Sequence, residues 1–375
     1  MEIRDNPALV GKPVAVGYSD RQRGVICAAS YEARAFGVHA ALSTRVARAR
    51  CPSLILVEPR HDRYCEVSQT IMSLLGMWSP IVEQVSIDEA YLDLAGTEQL
   101  HGNSTQVAGR LKQSIKETTG LSISVGGGPN KLIAKIASGA SKPDGLLIIP
   151  DRELGMWLAP RPVREIPGIG PVAQSTLREL GITTCGQLAH CPDDHLLRRF
   201  GPHGPALKLL ARGEDDSAVD PGGKRKSLGR EMTLEHNVSD LHVLETLLFD
   251  LAESVSYSLR QERLLARTVS LKLKDTEFQS IARQVKLAQP SNLSRPIFEA
   301  SRGLLNKEAQ GEPYRLIGIS TSELGDSEQL SIFDRLRSER ERNLTGAADR
   351  LRNKYGEEIV ARARLIDDTD PKDWR

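Results

Sequence analysis

The stretch VSIDEAYLDL, Val85 to Leu94, sets two carboxylates, Asp88 and Glu89, side by side inside an apolar run. Val85, Ile87, Tyr91, Leu92 and Leu94 are residue types that favour strands. In a regular strand, neighbouring side chains point to opposite faces. Two acids that act together must therefore sit where the strand breaks. The pattern predicts strands over Glu83–Ile87 and Tyr91–Leu94, joined by a tight hairpin turn at Asp88-Glu89-Ala90. Such a turn is either a solvated tip, which its composition alone favours, or a cation seat. A hard divalent ion such as Mg²⁺ takes carboxylate oxygens and keeps room for substrate phosphates.

Working outward, strand and helix signals alternate through 61–150. Asp62 to Trp78 reads as a helix. So does Ser104 to Thr119, where Val107, Leu111 and Ile115 form a stripe of period four that Gly120 stops. Leu121 to Gly126 and Gly145 to Ile149 read as strands around a helix from Asn130 to Ala140. This order predicts an α+β sheet with helices on one side. Before it lie two short strands, Pro13–Val16 and Gly24–Ala29. A short helix from Tyr31 to Phe36 follows, capped by Ser30 and ended by Gly37. After it, 151–215 is helical, GEDDSAVDPGGKRKSLG has the composition of an interdomain linker, and 228–325 mixes long helices with alternating strands. A charged tail closes the chain.

Three features bear on phosphate. Tyr31 and Arg34, three apart near a helix start, share a face close to backbone N–H groups that favour anions. Lys131, Lys135 and Lys142 fall at spacings of four and seven, either as a solvated face or as a phosphate grip. PGIGP, Pro167 to Pro171, precedes a helix, and its glycines let backbone amides approach a phosphate. That is the shape of a helix-hairpin-helix loop, which grips a DNA backbone without reading sequence; a plain turn is the alternative. Lys224, Arg225, Lys226 and Arg230 form a basic cluster without an acid. Arg267, Lys272, Lys274, Arg283 and Lys286 lie on strand-like segments further on.

The 375 residues are 39% hydrophobic and 26% charged, which fits a multidomain globular protein. No apolar run approaches the roughly 20 residues that cross a bilayer, and the charged N-terminus is no secretory signal. Five scattered cysteines (Cys27, Cys51, Cys65, Cys185, Cys191) contain no CxxC pair, which points to reduced thiols and a cytoplasmic location. With a net charge of +1, a polyanion partner must be argued from local patches.

RDNPAL, GVICAASYEARAFGV, SIDEAYLDL, SVGGGPNKLIAKIAS, SKPDG, IPGIG and QLSIFD, in this order from residue 2 to about 334, resemble a Y-family, lesion-bypass DNA polymerase of the DNA polymerase IV type. The resemblance implies a right-hand polymerase: fingers at 1–60, a ferredoxin-like palm at 61–150, a helix-hairpin-helix thumb at 151–213, a linker at 214–227, a βαββαβ-like little finger at 228–325, and a clamp-binding motif and tail at 326–375. It implies template-directed addition of deoxynucleotides with two Mg²⁺ ions. By that carry-over Asp88 and Glu89 are the catalytic, metal-binding acids, and Tyr31, Arg34 and Lys142 hold the incoming triphosphate. Gly168 and Gly170 lie against the DNA backbone, with the cluster 224–230 as a further DNA contact. Gln329, Leu330, Ile332 and Phe333 resemble the peptide that docks on the sliding clamp, its two larger anchors on a flexible stretch. The partners implied are primer-template DNA, deoxynucleoside triphosphates and the clamp, with the enzyme a monomer off the membrane.

One segment of the family pattern has no counterpart. Members begin with an apolar strand that carries another metal-binding Asp, followed by an aromatic residue that rejects ribonucleotides. This sequence aligns from just after both. The expectation is that the natural chain is longer, and that the sequence as given binds primer-template but extends it poorly. The competing readings are a non-catalytic polymerase-like protein that binds DNA and clamp, and a helix-hairpin-helix module without nucleotide chemistry. Retention of Asp88, Glu89, Tyr31 and Arg34 argues for the enzyme.

Overall fold

A computed structural model describes residues 1–18, 23–223, 225–309, 311–326, 332–356 and 359–360, with backbone alone for 326 and 332–342. The chain divides into two units, 1–10 with 60–223 and 11–59 with 224–375.

In the first unit the helices His61–Leu75 and Ser104–Thr119 cover a two-stranded hairpin, Val82–Gln84 against Ala90–Leu92. Leu75, Leu111 and Ile115 are buried between them, with Ile71, Met72, Trp78, Val82 and Leu92 packed alongside. Each such side chain contributes roughly 1.5–3 kcal/mol on leaving water. The helix 104–119 begins and ends where its sequence pattern predicts. Asn103 and Gln106 form a reciprocal capping box, and Gly120 closes it in the left-handed region at φ 69°. The N-terminal residues are tied in by Arg60, which bonds Glu2 and Asp5 at 2.8 Å each, and by the Tyr64 hydroxyl donating to Glu2 at 2.8 Å.

A second ladder in this unit is parallel, Val125–Gly127 with Leu146–Ile148, and the helix Lys131–Ala140 lies on it. The two ladders are not hydrogen-bonded to each other. The single sheet expected over 61–150 is thus two separate pairs among the described residues. Gly126 shows why this helix sits so close. A Cβ there would come within 2.0 Å of Ser138 N and 2.3 Å of Ala134 O, both helix backbone. The other side of the helix, Leu132, Ile133, Ile136 and Ala137, shares a core with Leu158, Ile166, Leu177, Leu188 and Leu196 from the short helices that follow.

In the second unit, residues 11–59 form a three-stranded sheet in the order Ile26–Ala29, Val14–Gly17, Ile55–Val57, with the helices Tyr31–Ala35 and Thr44–Arg50. Residues 227–322 form a βαββαβ domain. Its main antiparallel sheet runs Ser280–Ser291, Leu264–Asp275, Tyr314–Ser322, Ser227–Val238. The helices Leu241–Gln261 and Ser294–Glu308 cover one face over a core of Leu247, Leu251, Val255, Val269, Leu271, Ile297 and Ile317. A helix Ile332–Tyr355 follows. Asp349 fastens it to the domain by accepting from Arg260 at 2.6 and 2.9 Å.

Candidate active site

The hairpin connection is longer than the turn read from sequence. The ladder ends at Gln84–Ala90, leaving five residues, Val85 to Glu89, outside it. Local bonds compete with the ladder here. The amides of Val85 and Ser86 both donate to the Glu89 carbonyl, at 2.9 and 3.2 Å. Ser86 Oγ donates to Asp88 Oδ1 at 2.6 Å and accepts from the Asp88 amide at 3.2 Å. Val85 and Ile87 are about half exposed, so the apolar character around the acids is not core-facing. Asp88 and Glu89 are presented together on a turn whose backbone is tied down.

The lysine stripe faces this hairpin. Lys135 Nζ bonds Glu89 Oε1. One helical turn earlier, Lys131 Nζ bonds both oxygens of Glu83, at 2.8 and 2.6 Å, and lies 5.0 Å from the Tyr91 ring centre. Glu83 is held below the usual carboxylate range, first by Lys131 and then by the Asp220 amide. Neither sequence alternative for these two lysines describes what they do: both are engaged by the chain's own acids. Lys142 differs. Its side chain is exposed, and the following loop is anchored by Lys112, which bonds Asp144 Oδ1 at 2.6 Å. Glu83, Ser86, Lys112 and the pairing role of Lys135 went unread in the sequence. The only signal was the i,i+4 spacing of the lysines, which does not name partners almost fifty residues away.

Tyr31 and Arg34 lie in the second unit on the helix Tyr31–Ala35 and do share a face: the Arg34 guanidinium carbon is 5.2 Å from the Tyr31 ring centre. Arg34 Nε donates to the Ala29 carbonyl at 3.0 Å, and both side chains are exposed. Ser30 caps the helix as its sequence predicts.

In PGIGP the backbone rises over an apolar anchor. Ile166 and Ile169 are buried while Gly168 and Gly170 are exposed, and Gly168 has φ +92°. Nothing lies within 4 Å of a Cβ built at either glycine. Pro171 then opens the helix Pro171–Glu179. An exposed, positively curved backbone before a helix N-terminus suits a phosphate.

The basic residues of the second unit divide. Arg225 pairs with Glu262 at 3.0 Å; Lys226 and Arg230 are exposed; Lys224 lies outside the described residues. The register puts Lys272, Lys274 and Lys286 on the sheet face away from the helices. Arg283 pairs across from buried Leu271, on the helix-covered face, and bonds Glu308 at 2.9 Å. Arg230 pairs across from buried Ile319 and emerges at the edge strand. Lys272 is bonded to Glu231 at 2.8 Å. Of the QLSIFD residues, Gln329 and Leu330 lie outside the described residues. Ile332 and Phe333 open the helix Ile332–Tyr355, where a flexible peptide had been expected.

A profile described as the impB/mucB/samB family matches residues 1–139, that family's C-terminal domain matches 225–332, and a DNA polymerase-iota thumb domain matches 164–215. DNA polymerase IV of Moorella thermoacetica is 40% identical over 365 residues, covering 96% of this chain and 91% of that one. This chain belongs to the Y-family of DNA polymerases, DNA polymerase IV type. DNA polymerase IV of Halorhodospira halophila is also 40% identical, over 86% of this chain and 91% of its own. Among solved structures, a Y-family polymerase chimera is 30% identical and superposes with a TM-score of 0.77 over 87% of this chain and 95% of that one. DinB from Sulfolobus solfataricus is also 30% identical, with a TM-score of 0.61 over 86% and 94%.

The donor chemistry at the polymerase's turn fits a hard divalent cation: two adjacent carboxylates, one of them partnered among the described residues by a lysine ammonium. Among the described residues no group of three or more His, Cys, Asp or Glu side chains converges. Nor is any described helix long and apolar enough to cross a membrane.

Proposed function

We propose that the Val85–Glu89 turn is where this lesion-bypass DNA-directed DNA polymerase gathers divalent metal against the phosphates of an incoming deoxynucleotide. The observation that carries the reading is the tied turn that presents Asp88 and Glu89 side by side above a lysine-bearing helix. Asp88 and Glu89 supply carboxylate oxygens for two Mg²⁺ ions. Metal held there would neutralise charge on the phosphates and on the attacking primer 3′ oxygen. The chain's own part is to hold the two acids, orient the triphosphate through Lys142, Tyr31 and Arg34, and keep the primer-template in register. Arg34, with its planar fork, suits phosphate oxygens, and Tyr31 braces it. Gly168 and Gly170 offer backbone amides to a DNA phosphate, and Lys224, Arg225, Lys226 and Arg230 add positive charge to the DNA contact. A solved relative, 30% identical, is an insertion ternary complex.

Gln329, Leu330, Ile332 and Phe333 serve as a docking peptide for a sliding clamp, and the enzyme works as a cytoplasmic monomer. The test of the site is nucleotide binding with Mg²⁺. Asp88→Ala is expected to abolish the metal-dependent part and leave DNA binding intact. Metal-dependent binding that survives this substitution unchanged would rule the turn out.

A further inference from the structure

The first unit ends in a segment, 213–220, that is laced onto the elements around the acidic turn. The Asn130 side-chain amide donates to the Gly213 carbonyl at 2.7 Å. Asp215 Oδ2 accepts from the Leu132 amide at 3.1 Å, at the N-terminus of the helix Lys131–Ala140. Lys131 Nζ donates to the Ala218 carbonyl at 3.3 Å. Glu83 Oε2 accepts from the Asp220 amide at 2.8 Å. Among the described residues its side-chain-mediated hydrogen bonds to other elements reach two places, the start of that helix and the strand that leads into the turn.

Glu83 and Lys131 are the crossing point. Both side chains are about one-fifth exposed (21% and 18%), drier than the Lys135–Glu89 pair (39% and 43%). Their ion pair is therefore screened less than a surface pair. Glu83 sits opposite Tyr91 in the ladder, and Lys131 lies over the Tyr91 ring. The pair thus clasps both hairpin strands. One helical turn on, Lys135 holds Glu89 at the far end of the turn. The same helix face grips the turn at its entry and its exit, and the segment 213–220 completes the entry grip.

We infer that Glu83 and Lys131 are positioning residues that couple the segment 213–220 to the turn carrying Asp88 and Glu89. Neither touches the reacting atoms. They act by fixing the strand from which the turn springs, and they do so fully only while the segment is docked. Withdrawal of the segment, whose chain continues into the second unit, strips Glu83 of one donor and Lys131 of one acceptor. The entry strand is then held by fewer bonds, and the turn loosens. The catalytic meaning of this coupling rests on the function proposed above; the coupling itself does not.

Hydrogen exchange on the full chain tests it, because it reads backbone opening without any nucleotide. The decisive variant is Asp215→Ala, which lies on the segment and, among the described residues, hydrogen-bonds the helix start and Ser217 but not the hairpin. It is expected to speed exchange of the Asp220 amide and, in the same sample, of the Val85 and Ser86 amides, each by about tenfold, the scale of one charge-assisted hydrogen bond. Amides within Ser104–Thr119 should keep their protection. Glu83→Gln should speed the same two sets, and Lys131→Arg should restore the protection that Lys131→Met removes. Val85 and Ser86 exchanging at the parental rate in Asp215→Ala, with the segment itself opened, would overturn the coupling. So would a segment that stays closed in both Glu83→Gln and Lys131→Met. Nucleotide insertion is a separate readout: a fall in kcat of about tenfold in Glu83→Gln at an unchanged KM for nucleotide is expected of a positioning role. Exchange that behaves as stated with no insertion in any variant would count against the polymerase site and not against the coupling.

Discussion

Gly126→Ala offers the sharpest test of how the catalytic elements are held. A Cβ at 126 would stand 2.0 Å from Ser138 N, 2.3 Å from Ala134 O and 2.7 Å from Ala137 C, whereas ordinary contact begins at 3.4 Å. The atoms in the way are helix backbone, so no side chain can swing aside. The helix Lys131–Ala140 must withdraw by about 1.4 Å, dragging Leu132, Ile133 and Ile136 from their shared core. Overpacking alone costs about 1–3 kcal/mol, and loosened core contacts add to it, for a total of roughly 3–5 kcal/mol. The withdrawal also draws Lys131 and Lys135 off Glu83 and Glu89. Gly109→Ala is the matched control. It is exposed, lies inside Ser104–Thr119, and has nothing within 4 Å of its Cβ, so it should stabilise by about 1 kcal/mol through helix propensity. Urea unfolding followed by tryptophan fluorescence suits both, since Trp78 and Trp157 lie in the first unit. With m near 1–3 kcal/mol per molar, the Gly126 variant should lose a molar or more of midpoint, about 1 M at the least. A midpoint within error of the parent would show that the helix does not sit as close as the geometry says.

Three more outcomes are expected. Stability of the first unit should fall in acid through Glu83, which faces Lys131, Tyr91, the Asp220 amide and the Asp220 carboxylate. Its folded value lies below 4.5, so its contribution is complete above pH 4.5 and is lost as pH drops through that lower value. Glu83→Gln should flatten this limb of a pH–unfolding curve, and an unchanged slope would show that the pair adds nothing. Cys27 and Cys65 are exposed and should react promptly with a thiol reagent, while Cys51, Cys185 and Cys191 wait for unfolding. Burial pushes Cys185 to about 11, so raising the pH from 7 to 9 should not recruit it. Finally, Asp349→Ala removes the partner of Arg260 at a site where both are nearly buried (11% and 13% exposed). It should expose the helix Ile332–Tyr355 to limited proteolysis, with the βαββαβ domain still folded; equal protease resistance would mean that the helix is held by other contacts.

Much of this architecture can be read along the chain because it is local. The stripe Val107, Leu111, Ile115 closed by Gly120 specifies its helix completely, and Ser30 specifies the start of Tyr31–Ala35. The alternation in 266–274 specifies a strand, and its neighbours complete the βαββαβ order. What escapes the reading is set by partners far away in sequence. Val85 and Ile87 look like ladder residues, yet Ser86 and Asp88 bond each other and pull that segment out of the ladder. Lys131 and Lys135 look like a solvated or phosphate-facing stripe because their spacing cannot reveal Glu83 and Glu89 across the hairpin. Nor does the sequence disclose that Gly126 is needed for the bare closeness of helix to strand. The split into two ladders is likewise a matter of which strands meet, and residue pattern within a strand carries no such information.

The main sheet of the second unit has a consequence for how this surface can vary. Lys272 and Lys274 on one strand and Lys286 on the next share the outer face, while Leu271, Leu273 and Val285 take the helix-covered face. Charge on the outer face can thus be raised, lowered or reversed one position at a time without disturbing a single core contact. The buried positions of the inner face, Val269, Leu271 and Leu273, tolerate no such exchange. Shifting the Ser280–Ser291 strand by one residue would turn Lys286 inward and Val285 outward together, so the freedom to retune this surface depends on a register that must never slip.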